Sequence, residues 1–165
     1  MSIFGLLISL TLLWFFARYF GGIGIGAPWL PVRKRDIADA FALVHPKEGD
    51  TVIDLGSGDG RLLLESVKRG AAVIGYELNP ILVWISRYRL RAYRSRSRLF
   101  RQDLLQADLS QATIIFIFGI GPLMPKLSEK IRKECKTGTK IVSFAFELPA
   151  MKPVQTKGVA HLYVR

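Results

Sequence analysis

The run TVIDLGSGDGRLLLESVKRGAAVIGYE spans Thr51 to Glu77 and changes its hydrophobic period three times. It begins with an apolar β-type pair, Val52 and Ile53, and passes through a turn marked by Gly56, Gly58 and Gly60. Leu62, Leu63, Leu64 and Val67 then recur with helical spacing, and a second apolar run from Ala72 to Tyr76 ends on the acid Glu77. Strand, glycine turn, helix and strand make one βαβ unit. Such a unit places a ligand at the carboxyl edge of its strands, and an acid ending the second strand is placed to accept hydrogen bonds from ribose hydroxyls.

The turn also discriminates between ligands. A dinucleotide fingerprint needs GxGxxG, but here the third glycine comes one residue early and Arg61 fills the expected slot, which disfavours a nicotinamide or flavin dinucleotide. A pyrophosphate on the helix N-terminus would meet Asp59 inside the turn and Asp54 at its start, and like charges there are costly. No Gly-Lys-Ser/Thr follows, so a phosphate loop is excluded. S-adenosylmethionine has no phosphate and brings an ammonium and a sulfonium, which suit Asp54 and Asp59. The alternative is a glycine turn that serves packing alone.

A chain of 165 residues has room for one domain and a short appendage. Half of it is apolar and its mean hydropathy is positive, which points to a membrane segment. Met1 to Ala17 carries no charged side chain and would rise roughly 25 Å through a hydrocarbon core about 30 Å thick. With Arg18 to Phe20 added, residues 1–20 are expected to form one transmembrane anchor, with Trp14, Phe16, Tyr19 and Trp29 as interfacial aromatics. A cleaved signal peptide would want basic residues before the apolar run and a small-x-small site after it. Residues 21–35 form a Gly/Pro-rich and basic connector ending in Arg33, Lys34 and Arg35. The positive-inside rule then puts the domain at 36–165 in the cytoplasm or, in a mitochondrion, the matrix. Cys135 is the lone cysteine, so no internal disulfide forms, and no Cys/His pattern suggests a metal site.

A formal charge of +11 fits nucleic acid, anionic lipid or an acidic protein. Seven arginines and no acid lie between Arg87 and Arg101. Asn79 is expected to cap a helix with Pro80 in its first turn, and Ile81, Ile85, Tyr88 and Ala92 form one face. If that helix continues, Arg87, Arg91, Arg94 and Arg98 make a stripe suited to an anionic membrane surface, the bland reading being a solvated face. Nucleic acid would need aromatic platforms that the sequence does not locate. Asp36 to Val44 reads as a helix capped by Asp36 and ended by the loop residues His45 and Pro46. Further on, Leu99 and Phe100, Thr113 to Phe118 and Lys140 to Phe146 read as strands, about Met124 to Lys136 as a helix, and 154–155 with 159–164 as a hairpin.

DLGSGDG, then GYELNP, then the acid of RQDLLQ, in this order, resemble a class I, seven-strand S-adenosylmethionine-dependent methyltransferase. ELNPILVWISRYR and IFGIGPLMPKL are similar to the small membrane-anchored protein lysine methyltransferases, among them the mitochondrial enzymes acting on the adenine nucleotide translocase and the ATP synthase c-subunit, with prokaryotic relatives. The resemblance covers about Asp36 to Phe146. It implies a Rossmann-like α/β sheet flanked by helices, although the short C-terminal tail leaves room for fewer than seven strands.

By position the resemblance implies that Asp54, Gly56, Ser57, Gly58, Asp59 and Gly60 shape the methionine side of the cofactor pocket. Glu77 with Asn79 would hold the ribose side, and Asp103 would lie near the adenine amino group. Phe118 to Pro122 stands where nucleobase N-methyltransferases carry an Asn/Asp-Pro-Pro-aromatic loop, which is absent here. Transfer to lysine needs a neutral amine brought in line with the methyl, and an apolar channel beside a cationic cofactor lowers the amine's pKa without a strong base. Phe118 and Phe146 are the candidate walls, Phe144 is equally a core residue, and Glu147 either orients the amine or is a loop acid. The expected protein substrate is membrane-associated. The alternatives are a lipid or small-molecule methyltransferase and a non-catalytic cofactor-binding or lipid-binding scaffold.

Overall fold

The computed structural model describes residues 2–19, 31–119 and 121–165, with backbone alone at 17–19. The connector over 21–30 with Trp29, and also Phe20 and Ile120, lie outside the described residues, as do the side chains of Arg18 and Tyr19. The chain divides into two units, Met1–Pro31 and Val32–Arg165.

Among the described residues, the first unit contains one helix, α1 (Ile3–Tyr19), of 17 residues. Its large apolar side chains are exposed on every face, from Ile3 at 82% to Phe15 at 43%. The transmembrane span expected over 1–20 finds no support in the described residues. Among the described residues no helix is long and apolar enough to cross a membrane. Over its 17 described residues α1 rises roughly 25 Å.

The second unit is a seven-stranded sheet between two helical layers. Its elements are α2 (Lys34–Val44), β1 (Thr51–Leu55), α3 (Arg61–Val67), β2 (Ala72–Tyr76), α4 (Pro80–Arg89), β3 (Ser97–Phe100), β4 (Ile114–Ile117), α5 (Met124–Glu134), β5 (Lys140–Phe144), β6 (Gln155–Lys157) and β7 (Ala160–Val164). The strand order is β3-β2-β1-β4-β5-β7-β6, with β1 to β5 parallel and β7 antiparallel to both neighbours. The short tail therefore completes the sheet. Alternation along each strand divides the core: Val52, Val73, Phe116 and Val142 face α2 and α3, while Ile53, Ile74, Ile115 and Ile141 face α5.

Three local expectations need correction. Arg33, not Asp36, is the N-cap of α2; Asp36 sits in the first turn and accepts from Arg33 Nε at 2.9 Å. Of the face expected on α4, Ala92 falls beyond the helix, and the buried side is Leu82, Val83 and Ser86, with Leu90 at the C-cap. That helix also ends at Arg89, giving way to a 3₁₀ segment at Arg91–Arg96 with a kink at Tyr93, so no continuous arginine stripe reaches Arg98.

Gly75 shows how tightly the tip of β2 is packed. A Cβ there would lie 2.6 Å from Leu63 Cδ1, 2.7 Å from Leu99 Cδ2 and 2.8 Å from Ser57 Oγ. Gly75→Ala is expected to cost about 1–3 kcal/mol, read as a lower urea midpoint at unchanged slope. A midpoint equal to the parent's would contradict this packing.

Candidate functional site

The strand register sets Leu55, Tyr76 and Phe100 side by side, with Ile117 on the other flank of Leu55. The order reverses between β1 and β4, and a crevice at such a switch point is where open α/β sheets bind ligands. Its floor is the turn after β1. Gly56 and Ser57 N–H both donate to the Tyr76 carbonyl, at 2.9 and 3.0 Å. Gly56, Gly58 and Gly60 have φ of 89°, 53° and 75°, a left-handed region that other residues enter at a cost. Gly56 is exposed, and nothing lies within 4 Å of where its Cβ would be, so a ligand has open room there. At Gly60 a Cβ would come 2.7 Å from Ser86 Oγ, which instead donates to the Gly58 carbonyl at 2.9 Å and seats α4 against the turn.

Glu77 joins the two strand tips. Its Oε2 accepts from Gly58 N–H at 3.0 Å and its Oε1 from Asn79 N–H at 2.8 Å. An ionised carboxylate offers about four acceptor positions, so roughly two remain on this half-buried side chain for ligand hydroxyls. Asn79 contributes its backbone to this wall, while its Oδ1 caps α4 by accepting from Ile81 and Leu82 N–H at 2.9 and 3.4 Å.

The two acids of the turn have different tasks. Asp54 is 2% exposed, and burial first, then the charges of Glu77 and Asp59, push its carboxyl from an ordinary value near 3.8 up to about 8. Asp59, expected with Asp54 to suit a cationic ligand, is already paired with two arginines. Its carboxylate takes Arg61 Nε at 2.9 Å, Arg61 Nη2 at 2.8 Å and Arg89 Nη1 at 2.7 Å. Burial works to raise its pKa, but these hydrogen bonds and charges outweigh it and hold the group below the usual carboxylate range. Arg89 Nη1 also donates to the Asp59 carbonyl at 2.8 Å, and Arg61 Nη1 to the Val32 carbonyl at 2.9 Å. Asp59 is thus a clamp between α3, α4 and the chain entering α2. Sequence reasoning missed Arg89 and Ser86; the only signal for Arg89 was its place in the arginine run, where spacing does not say which guanidinium turns inward.

The remaining candidates divide between the two halves of the edge. Ser57 Oγ is buried with no hydrogen-bond partner among the described residues. Asp103 follows β3, half-buried, and its Oδ1 accepts from Leu105 N–H at 2.9 Å. Across the switch point, Phe118 is half-buried just past β4 and meets Phe144 edge-on at 6.1 Å. Phe144 is wholly buried and is a core residue, not a channel wall. Phe146 is 42% exposed and Glu147 is exposed. Phe146 reaches toward Gly121, whose Cβ position lies 4.0 Å from Phe146 Cε1. A separate groove of about 400 Å³ lies away from the strand tips, between α2 and α3, floored by Ile37, Phe41 and Leu64. Among the described residues no His/Cys/Asp/Glu group could hold a metal ion. The open cradle at Gly56, the spare acceptors of Glu77 and the buried acid Asp54 fit a ligand that carries both hydroxyls and a cation.

Residues 54–155 match the ANTKMT methyltransferase domain. The ATP synthase c-subunit lysine N-methyltransferase of Rattus norvegicus is 32% identical over 133 residues, covering 79% of this chain and 61% of that enzyme. The chain thus spans less than two thirds of that relative. A protein-lysine N-methyltransferase of Saccharolobus islandicus is 26% identical over 130 residues, covering 76% of this chain and 81% of that protein. Among solved structures, an RNA methyltransferase from Salinibacter ruber in complex with S-adenosyl-L-homocysteine superposes with a TM-score of 0.78 at 26% identity, covering 82% of this chain and 93% of that one. The resemblance expected from DLGSGDG and GYELNP is borne out.

Asp54 gives this site a pH signature. The folded chain keeps its proton up to about pH 8 while an ordinary carboxyl loses it near 3.8, so the folded state binds more protons across that window. Stability therefore falls as pH rises from about 4 to about 8 and then levels off. Asp54→Asn removes that slope, and its gain over the parent should grow across the window and be largest above it. Urea titrations at about pH 5 and about pH 8.5 check this, an identical difference at both being the contrary result.

Proposed function

Because the chain belongs to the ANTKMT methyltransferase family, we propose that it is an S-adenosylmethionine-dependent protein-lysine N-methyltransferase that works at a membrane surface. The observation that carries the cofactor reading is the closed pair of strand tips, Glu77 on Gly58 N–H, beside an open cradle at Gly56. Glu77 would hold the ribose hydroxyls, Asp103 would lie toward the adenine amino group, and Gly56 to Gly60 would take the methionine end. Asp54 would face its ammonium. When bound, the cofactor supplies an electrophilic methyl group on a sulfonium.

What the chain adds is placement and an apolar setting. A lysine ammonium must shed its proton before it can attack, and burial between Phe118 and Phe146 lowers its pKa. The exposed Phe146 and half-buried Phe118 suit the rim and wall of such an entry. Glu147, exposed next to Phe146 in sequence, would orient the incoming cation or be a loop acid. Curated relatives named as lysine methyltransferases support the choice of acceptor.

The membrane part of the proposal rests on α1, whose exposed apolar faces are disfavoured in water, and on the exposed cluster Arg33, Lys34 and Arg35, which favours a cytoplasmic or matrix-side catalytic unit. The likeness to an RNA methyltransferase favours a second reading. Against it, FGIGP at Phe118 to Pro122 lacks the Asn/Asp-Pro-Pro-aromatic loop of nucleobase N-methyltransferases.

Two outcomes are expected. Glu77→Ala should weaken S-adenosylhomocysteine binding by roughly tenfold to a hundredfold, the value of one or two hydrogen bonds to a charged group, and calorimetry showing parental affinity would remove the pocket assignment. Membranes incubated with the protein and methyl-labelled cofactor should yield labelled methyl-lysine on acid hydrolysis. Label recovered in organic solvent or in RNA instead would overturn the lysine reading, and binding without transfer would favour a scaffold.

A further inference from the structure

Helix α4 is apolar on two sides, and the core uses only one of them. Leu82, Val83 and Ser86 are buried. Ile81, Trp84, Ile85 and Tyr88, at i, i+3, i+4 and i+7, fall within an arc of about 100° on the other side. Trp84 is 68% exposed and Tyr88 60%, while Ile81 and Ile85 are half-buried between them. The aromatic pair is ordered: the rings stack at 6.3 Å and 18°, and the Arg91 guanidinium sits 4.2 Å over the Tyr88 ring.

Cations surround this face without neutralising acids. Of the seven arginines from Arg87 to Arg101, Arg89 alone is in an ion pair among the described residues. Arg87 and Arg91 donate to backbone carbonyls, of Leu99 at 3.3 Å and Tyr88 at 3.1 Å, and keep their charge uncompensated. An exposed apolar stripe rimmed by guanidinium groups marks a contact surface.

We propose that this outward face of α4 lies on an anionic lipid surface, with Trp84 and Tyr88 at headgroup depth and Arg87, Arg91 and Arg94 on the phosphates. Tryptophan and tyrosine favour that depth, the isoleucines need an apolar medium, and each basic residue near an anionic leaflet adds about 1 kcal/mol. Single-stranded nucleic acid fits less well. Tyr88 already has Trp84 and Arg91 stacked against it, which leaves the outer face of Trp84 as the platform for a base, and Ile81 and Ile85 would have no use there. This proposal stands apart from the chemistry at Glu77 and from α1.

The test uses the full chain with Trp14→Phe and Trp29→Phe, which leaves Trp84 as the sole tryptophan. With vesicles of phosphatidylglycerol in phosphatidylcholine, Trp84 emission should shift to the blue and acrylamide quenching should fall, roughly threefold, with both effects reversed by high salt. Phosphatidylcholine alone should do neither. The triple variant Arg87→Ser, Arg91→Ser, Arg94→Ser should lose the effect while keeping S-adenosylhomocysteine affinity, which shows that it is folded. A companion protein retaining Trp14 alone reports α1. If Trp84 stays as quenchable as in buffer, whether or not Trp14 registers the vesicles, the proposal fails. It fails also if oligouridylate protects Trp84 and vesicles do not.

Discussion

The carboxylate of Glu77 closes on the Gly58 N–H 3.0 Å away, and the neighbouring carbonyl of Tyr76 takes the N–H groups of both Gly56 and Ser57. These bonds tie the tip of β2 to the turn leaving β1, and the rest of the edge is arranged around them. They require a backbone at positive φ, which is why glycine stands at 56, 58 and 60. They also bring the turn so close to α4 that Gly60 touches Ser86 and tolerates no side chain. The same Glu77 accepts the Asn79 N–H, so one carboxylate orients both the turn and the start of the next helix.

Buried charge explains why the two aspartates of one turn behave differently. Asp59 is compensated by two guanidiniums, and its ionised form is stable in place. Removing either arginine would leave the buried carboxylate on the other guanidinium alone, while removing both would leave a buried charge unpaired. Burial first, and then the charges of Glu77 and Asp59, act on Asp54 and push its carboxyl up to about 8. Asp59 is committed to architecture by its two ion pairs.

The strand–turn–helix–strand core and the cap at Asn79 were legible because they rest on local rules: period, glycine at positive φ, a side-chain oxygen on a helix N-terminus. Completion of the sheet by the short tail could not be read, because β7 pairs with β5 across a stretch of irregular chain. Nor could the partner of Asp59, since Arg89 is thirty residues away and one of seven similar side chains. The face of α4 misleads for a different reason. Ile81, Ile85 and Tyr88 have helical spacing, and periodicity reveals an apolar side without revealing whether protein or something else covers it. Residues 3–19 are legible as an apolar helix, but hydropathy over 1–20 does not fix how far the regular helix extends.

The end of β5 carries a backbone conformation held in place by hydrogen bonds on both sides. Ala145 adopts φ 64°, a conformation that costs a non-glycine residue about 1–2 kcal/mol. Its N–H is held by the Val159 carbonyl at 2.8 Å, the Phe146 N–H turns back to the Phe144 carbonyl at 2.8 Å, and the Ser143 hydroxyl donates to the Phe146 carbonyl. Further along, Leu148 N–H donates to Tyr163 Oη and Ser128 Oγ to the Pro149 carbonyl. Strain kept at one residue by bonds on both sides is characteristic of positions that aim a side chain. Here it separates two phenylalanines two residues apart, so that Phe144 stays in the core and Phe146 is exposed at the edge. Phe118 leans edge-on against Phe144, and Phe144 meets Phe116 at 6.3 Å inside the core. Phe118 rests on that stack and cannot shift without repacking the sheet beneath it.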